Sequence, residues 1–171
     1  MSNKVPNVTF RNRVRGEGVG GRNPWIWVDI PSDEVFSGKN VVIFGLAAAI
    51  TPRASNAHLP GYDAKYEELK SLGVDEVYCL AVTAPFTMSQ WAKNLGIEHV
   101  KMLPDAQGDF ARGLGMLVKK GDINVSWRYS AHVVDGEVKK VFAEPGMMDD
   151  SPDDPFECSD ADTMIAYLKQ S

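Results

Sequence analysis

The sequence predicts an α/β domain, and three observations carry that expectation. Val41 to Leu46 and Val77 to Val82 are nearly continuous apolar runs, as expected of central strands buried on both faces. Helical spacing of apolar residues follows each run. Asp135-Gly136 then separates two strand-like runs and signals a hairpin with a type I′ turn.

Residues 1–24 are polar and glycine-rich, with Val8 to Val14 as an edge hairpin strand and Gly16 to Gly21 as a loop. Trp25 to Ile30 reads as a strand. Ser32 is the expected cap of a short helix, with Asp33 and Glu34 in its first turn and Gly38 at its end. After the strand Val41 to Leu46, a helix begins near Ser55 and runs to Lys70, with Leu59, Tyr62, Tyr66 and Leu69 on one face. Pro60 kinks it or ends a first segment, and Gly73 closes it. Val77 to Val82 is the next strand, followed by a helix carrying Phe86, Met88, Trp91 and Leu95. Val100 to Leu103 is a short strand, Pro104-Asp105 a turn, and Phe110 to Leu117 a helix. Val125 to Val134 and Glu137 to Ala143 form the hairpin, and residues 144–158 a long acidic loop. Ser159 is the expected cap of a last helix that turns Met164, Ile165 and Leu168 inward. This order matches an elaborated thioredoxin-like fold: a central mixed β-sheet flanked by helices, with an N-terminal β extension. The 171 residues suit a single domain, 1–171.

Composition excludes several classes of function. The net charge of −5, without a long basic run, argues against nucleic acid as a partner. No apolar run approaches the roughly 18 residues of a membrane span. Met1 to Pro6 has no apolar signal region, so a cytoplasmic protein is expected. Cys79 and Cys158 are too few for a disulfide framework and lack metal-ligand spacing, and the three histidines are scattered. No metal or cofactor is expected.

The stretch most suited to chemistry is Gly45 to Ser55, where a buried strand turns into a helix start. Backbone N–H groups and the helix dipole favour negative charge there. Thr51 adds a hydroxyl and Arg53 a positive charge, but residue 54 is alanine, so a nucleophile is missing.

Several stretches go further: Val5 to Phe10, Val41 to Gly45, His58-Leu59-Pro60-Gly61-Tyr62, Gly73-Val74-Asp75-Glu76, Pro85-Phe86-Thr87-Met88, Trp127-Arg128-Tyr129-Ser130, Asp154-Pro155-Phe156 and Ser159 to Met164. On these the chain resembles the type 5 peroxiredoxins, including those fused to glutaredoxin in some bacteria. The match keeps its order over essentially the whole chain, and with an end at Ser171 no glutaredoxin domain is expected.

The resemblance implies thiol-dependent reduction of hydroperoxides, with thioredoxin or glutaredoxin as reductant and a homodimer as the assembly. The family pattern is Pro-x-x-x-Thr-x-x-Cys plus an arginine from a distant strand. Carried over, the proline position is Ala47, the threonine Thr51, the peroxidatic cysteine Ala54 and the arginine Arg128. Cys79 falls where some relatives carry a resolving cysteine. Thr83-Ala84 stands where members usually have Asn-Asp, and the loop before Trp127 is about three residues shorter than usual. The departures cluster in one pocket while the core strands stay faithful, which is the pattern of a repurposed site, natural or deliberate.

Each candidate also has a bland reading. Thr51 is a turn residue or an anion-orienting hydroxyl. Arg53 is a solvated charge or a ligand contact. Ser55 is a helix cap rather than a substitute nucleophile. Cys79 lies among apolar residues, as a buried inert thiol does, and Cys158 sits beside an acidic loop that raises thiol pKa. His132 shares strand parity with Arg128 and Ser130, so it is a pocket candidate or a packed core histidine. His58 is structural, and His99 has no assigned role. Phe86, Met88 and Trp91 are partly core, and the resemblance puts the dimer interface there. Ile50 and Ala84 alter that neighbourhood.

Three functions follow. The first is a peroxiredoxin scaffold that is inactive as a peroxidase. The second is a module binding a small anion such as a carboxylate or sulfate. The third is a new hydrolytic enzyme using His132 or Ser55.

Overall fold

The computed structural model describes residues 4–15, 25–46, 57–152 and 155–170. The described chain opens with an antiparallel hairpin of β1 (Thr9–Arg15) and β2 (Trp25–Pro31), the expected N-terminal extension. The loop expected at Gly16 to Gly21 lies outside the described residues. Helix α1 (Ser32–Phe36) follows directly, without the cap expected at Ser32. Pro31 holds the cap position, and the Ser32 hydroxyl instead accepts the Val8 N–H at 3.1 Å. That bond ties the hairpin to the helix, a long-range role that local sequence does not display.

Strand β3 (Asn40–Gly45) is buried along nearly its whole length. Beyond it, residues 57 and 58 make a π turn, followed by α2 (Leu59–Ala64) and α3 (Tyr66–Ser71). The break falls at Lys65 and not at Pro60. Pro60 stands in the first turn of α2, where its missing N–H has no helical partner to lose. Leu59, Tyr62, Tyr66 and Leu69 are all buried, as their spacing predicts, and Gly73 closes the segment at φ +99°.

Strand β4 (Glu76–Ala81), helix α4 (Pro85–Leu95) and strand β5 (Lys101–Pro104) come next. Helix α5 (Asp109–Leu114) is shorter than expected because Gly115 leaves it at φ +81°. The strand expected over Val125 to Val134 is two strands. Strand β7 (Ile123–Ser126) pairs with β6 (Leu117–Lys120) in a hairpin of its own, and β8 (Tyr129–Val134) joins the main sheet. Trp127 and Arg128 bridge the two, outside either ladder. Strand β9 (Glu137–Ala143) returns after Asp135 (φ 49°) and Gly136 (φ 76°), the two positive φ values of a type I′ turn. Helix α6 (Ala161–Gln170) ends the fold. Its cap is Asp160 rather than Ser159: the Asp160 carboxylate accepts the Thr163 N–H at 3.1 Å and the Thr163 hydroxyl at 2.6 Å.

The main sheet has the order β5-β4-β3-β8-β9. Strands β3, β4 and β5 are parallel, and β8 and β9 are antiparallel. One face carries Val42, Phe44, Val77 and Cys79 against Leu59, Tyr62, Trp91, Met164 and Leu168. The other carries Ile43, Leu80, Tyr129 and Val133 against Phe36 and Phe110. No helix among the described residues is long and apolar enough to cross a membrane.

Candidate functional site

Residues 47–56 lie outside the described residues, and with them Ala47, Ile50, Thr51, Arg53, Ala54 and Ser55. The structure does describe the end of β3, the turn at His58, and Arg128.

Arg128 comes from the short bridge between β7 and β8. Trp127 anchors that bridge, its backbone N–H bonding Met116 O at 2.6 Å and its indole N–H bonding Glu144 O at 2.7 Å. Arg128 is 1% exposed. Its Nη1 donates to His58 Nδ1 at 2.9 Å, and its guanidinium lies 5.9 Å from the centre of the Phe156 ring. His58 Nε2 bonds Ser159 O at 3.1 Å.

These partners settle the imidazole's state. A guanidinium only donates, so Nδ1 is the acceptor; a carbonyl only accepts, so Nε2 carries the proton. His58 is therefore a neutral Nε2–H tautomer, and burial followed by the Arg128 charge holds its pKa well below the usual value. The ring packs among Phe44 at 4.7 Å, Phe156 at 5.1 Å and Tyr62 at 5.7 Å between centroids. Tyr62 also donates to Ser159 O, at 2.9 Å, so that carbonyl uses both lone pairs.

Cys79 stands mid-strand on β4, opposite Phe44, and is fully buried. Burial pushes its thiol far above the ordinary range, partly offset by the Arg128 charge. Cys158 is half-buried and donates to Ala143 O at 3.4 Å. Burial and the Glu144 carboxylate raise its pKa to about 11.

His132 does not join Arg128. It keeps the expected face of β8, but four residues along a strand is roughly 13 Å. There Nε2 meets Asn40 Oδ1 at 2.8 Å and Nδ1 meets the Tyr167 hydroxyl at 3.1 Å. It is a packed histidine between sheet and α6. His99 stacks on Tyr66 at 4.8 Å. Met88 and Trp91 are core, while Phe86 is 63% exposed.

Glu144 escaped the sequence reading as the first residue of an acidic loop. Its carboxylate is buried and accepts the backbone N–H groups of Glu157 at 2.6 Å, Cys158 at 2.9 Å and Ser159 at 2.7 Å. The one local signal was a carboxylate placed immediately after a strand and before Pro145-Gly146, and that signal is weak.

Residues 29–164 match a family model described as Redoxin. Peroxiredoxin sll1621 of Synechocystis sp. is 51% identical over 169 residues, covering 97% of this chain and 89% of its own length. The hybrid peroxiredoxin hyPrx5 of Haemophilus influenzae is 42% identical over 96% of this chain, which spans 64% of the hybrid. Among solved structures, reduced Prx3 of Vibrio vulnificus in complex with hydrogen peroxide is 31% identical with a TM-score of 0.83, over 98% of this chain and 94% of that one.

Proposed function

This chain belongs to the redoxin family as a peroxiredoxin-type antioxidant scaffold, and on that premise we propose that it does not turn over hydroperoxides. The observation that carries this reading is the state of its two thiols. Attack on a peroxide O–O bond requires a thiolate. Cys79 is fully buried and pushed far up in pKa, and Cys158 titrates at about 11. Both are thiols at neutral pH. The family pattern puts the peroxidatic position at Ala54, whose methyl group offers no nucleophile.

The test is peroxide consumption with thioredoxin or glutaredoxin as reductant, alongside intact mass of the peroxide-treated chain. No turnover and no sulfenic acid are expected. Turnover near that of a cysteine-bearing relative would sink the reading.

A second reading is favoured by Arg128 and His58. The buried guanidinium, a cationic group, donates to an imidazole that is itself held neutral. With Thr51, that charge suits a small anion, a carboxylate or sulfate. Calorimetric titration on the parent and on Arg128→Ala decides; identical weak binding by both dismisses it. A homodimer through the α4 region, with cytoplasmic residence, completes the proposal. Phe86 at 63% and Trp27 at 52% exposure support such a contact. Sedimentation of the parent and of Phe86→Glu tests it, and a monomeric parent would refute it.

A further inference from the structure

Glu144 closes a circuit of hydrogen bonds that begins and ends at Arg128. The Glu144 N–H donates to Arg128 O at 3.0 Å. The Glu144 carboxylate accepts the Ser159 N–H at 2.7 Å. Ser159 O accepts His58 Nε2–H at 3.1 Å, and His58 Nδ1 accepts Arg128 Nη1–H at 2.9 Å. Four residues from four distant parts of the chain thus fix one another.

The carboxylate governs this circuit because it has the most bonds in it. Three successive backbone N–H groups, from Glu157 to Ser159, converge on its two oxygens, a concave nest around an internal anion. Residues 155–159 otherwise have no helix or strand to hold them. Burial alone raises such a carboxyl, yet the hydrogen bonds from residues 157–159 hold it below its ordinary range. The nest fixes the Ser159 carbonyl. Among the described residues that carbonyl is the acceptor that holds the proton on His58 Nε2, and with Nε2 protonated Nδ1 can accept from Arg128.

We propose that Glu144 is the positioning residue of the site: through the 157–159 turn and Ser159 O it selects the His58 tautomer, and that tautomer sets where the Arg128 guanidinium stands. The proposal rests on the reading of Arg128 as the cation of the site, but its primary test does not depend on Ala54.

Nitrogen-15 NMR of the full chain reads which imidazole nitrogen of His58 carries the proton, with His99→Gln and His132→Gln assigning the other two rings. The parent should show one Nε2–H tautomer from pH 8 to pH 5. Glu144→Gln keeps the side-chain length but has one acceptor oxygen instead of two, so a minor Nδ1–H population should appear. Glu144→Ala should mix the tautomers fully. Asp105→Asn, which weakens the cap of α5 elsewhere, should destabilise the fold yet leave the His58 resonances alone. If Glu144→Ala does not fold, Glu144→Gln decides. An unchanged His58 tautomer in folded Glu144→Gln or Glu144→Ala overturns the proposal. In an Ala54→Cys background, Glu144→Gln should also slow peroxide oxidation of the new thiol at least threefold. If Ala54→Cys alone gives an ordinary thiol, the placement of Ala54 has failed, while the His58 resonances still judge Glu144.

Discussion

The ring of Tyr129 fills the space that a side chain at Gly45 would need. A methyl group there would stand 2.9 Å from Tyr129 Cδ1 and 2.8 Å from Ser126 Oγ. Gly45 is the last residue of β3, paired with Tyr129 across the antiparallel ladder, so neither backbone can withdraw without breaking pairing. Gly45→Ala should therefore destabilise the protein by about 1–3 kcal/mol, the usual cost of overpacking. Urea unfolding measures it; an unchanged midpoint would show that Tyr129 yields freely.

The contrast between Gly45 and Glu144 shows what the sequence displays. Elements set by local pattern were legible: the apolar runs of β3 and β4, the helical spacing of Leu59 to Leu69, and the Asp135-Gly136 turn. What was missed depends on contacts made far along the chain. Ser32 looks like a cap, but its hydroxyl answers Val8. Val125 to Val134 reads as one strand because Trp127 and Arg128 continue the pattern, yet Trp127 bonds Met116 and Glu144 and breaks the run. Arg128 was singled out by its motif. Its partner His58, and Glu144 behind it, are joined by bonds between residues 70 and 15 positions apart, which no local period encodes. His132 had the right parity for the pocket, but parity fixes a face of the sheet and not a height along the strand.

The two cysteines should behave differently toward a thiol reagent. In the native protein only Cys158 should react, slowly, and its rate should rise about tenfold per pH unit toward about 11 as thiolate forms. Cys79 should react only after unfolding, because the core encloses it. Reagent titration with and without denaturant checks both. Rapid native labelling of Cys79 would mean that β4 opens readily.

Histidine burial gives the stability a pH dependence of fixed sign. Burial depresses the pKa of both His58 and His132 in the folded state. Between those depressed values and the unfolded value of about 6.5, the unfolded chain binds more protons, so stability falls as pH drops below about 6.5. Each fully depressed histidine contributes up to about 1.4 kcal/mol per pH unit in that window. His58→Gln should remove the larger share of the slope between pH 7 and pH 5, since His58 is fully buried and His132 is 7% exposed. The check is the urea midpoint at both pH values. Equal slopes for the parent and His58→Gln would refute the assignment.

A thiol placed at residue 54 is the most direct test of the proposed site. If Ala54 holds the peroxidatic position, Ala54→Cys puts a thiol beside Arg128 and Thr51. The guanidinium should stabilise the thiolate and lower its pKa below the free-cysteine value of about 8.5. Peroxide should then oxidise it to sulfenic acid. The rate should remain low while Ala47 stands in place of proline, and Ala47→Pro with Ala48→Gly should raise it. Resolution by Cys79 requires opening the core around β4, so the sulfenic acid should persist until an external thiol arrives. Arg128→Ala in the same background should return the thiol to an ordinary pKa. Ultraviolet titration of the thiolate and intact mass after peroxide follow each step. The same thiol pKa in Ala54→Cys with and without Arg128→Ala would place residue 54 away from the guanidinium, because burial raises a thiol pKa whatever its neighbours, while the share lowered by a cation is lost with that cation.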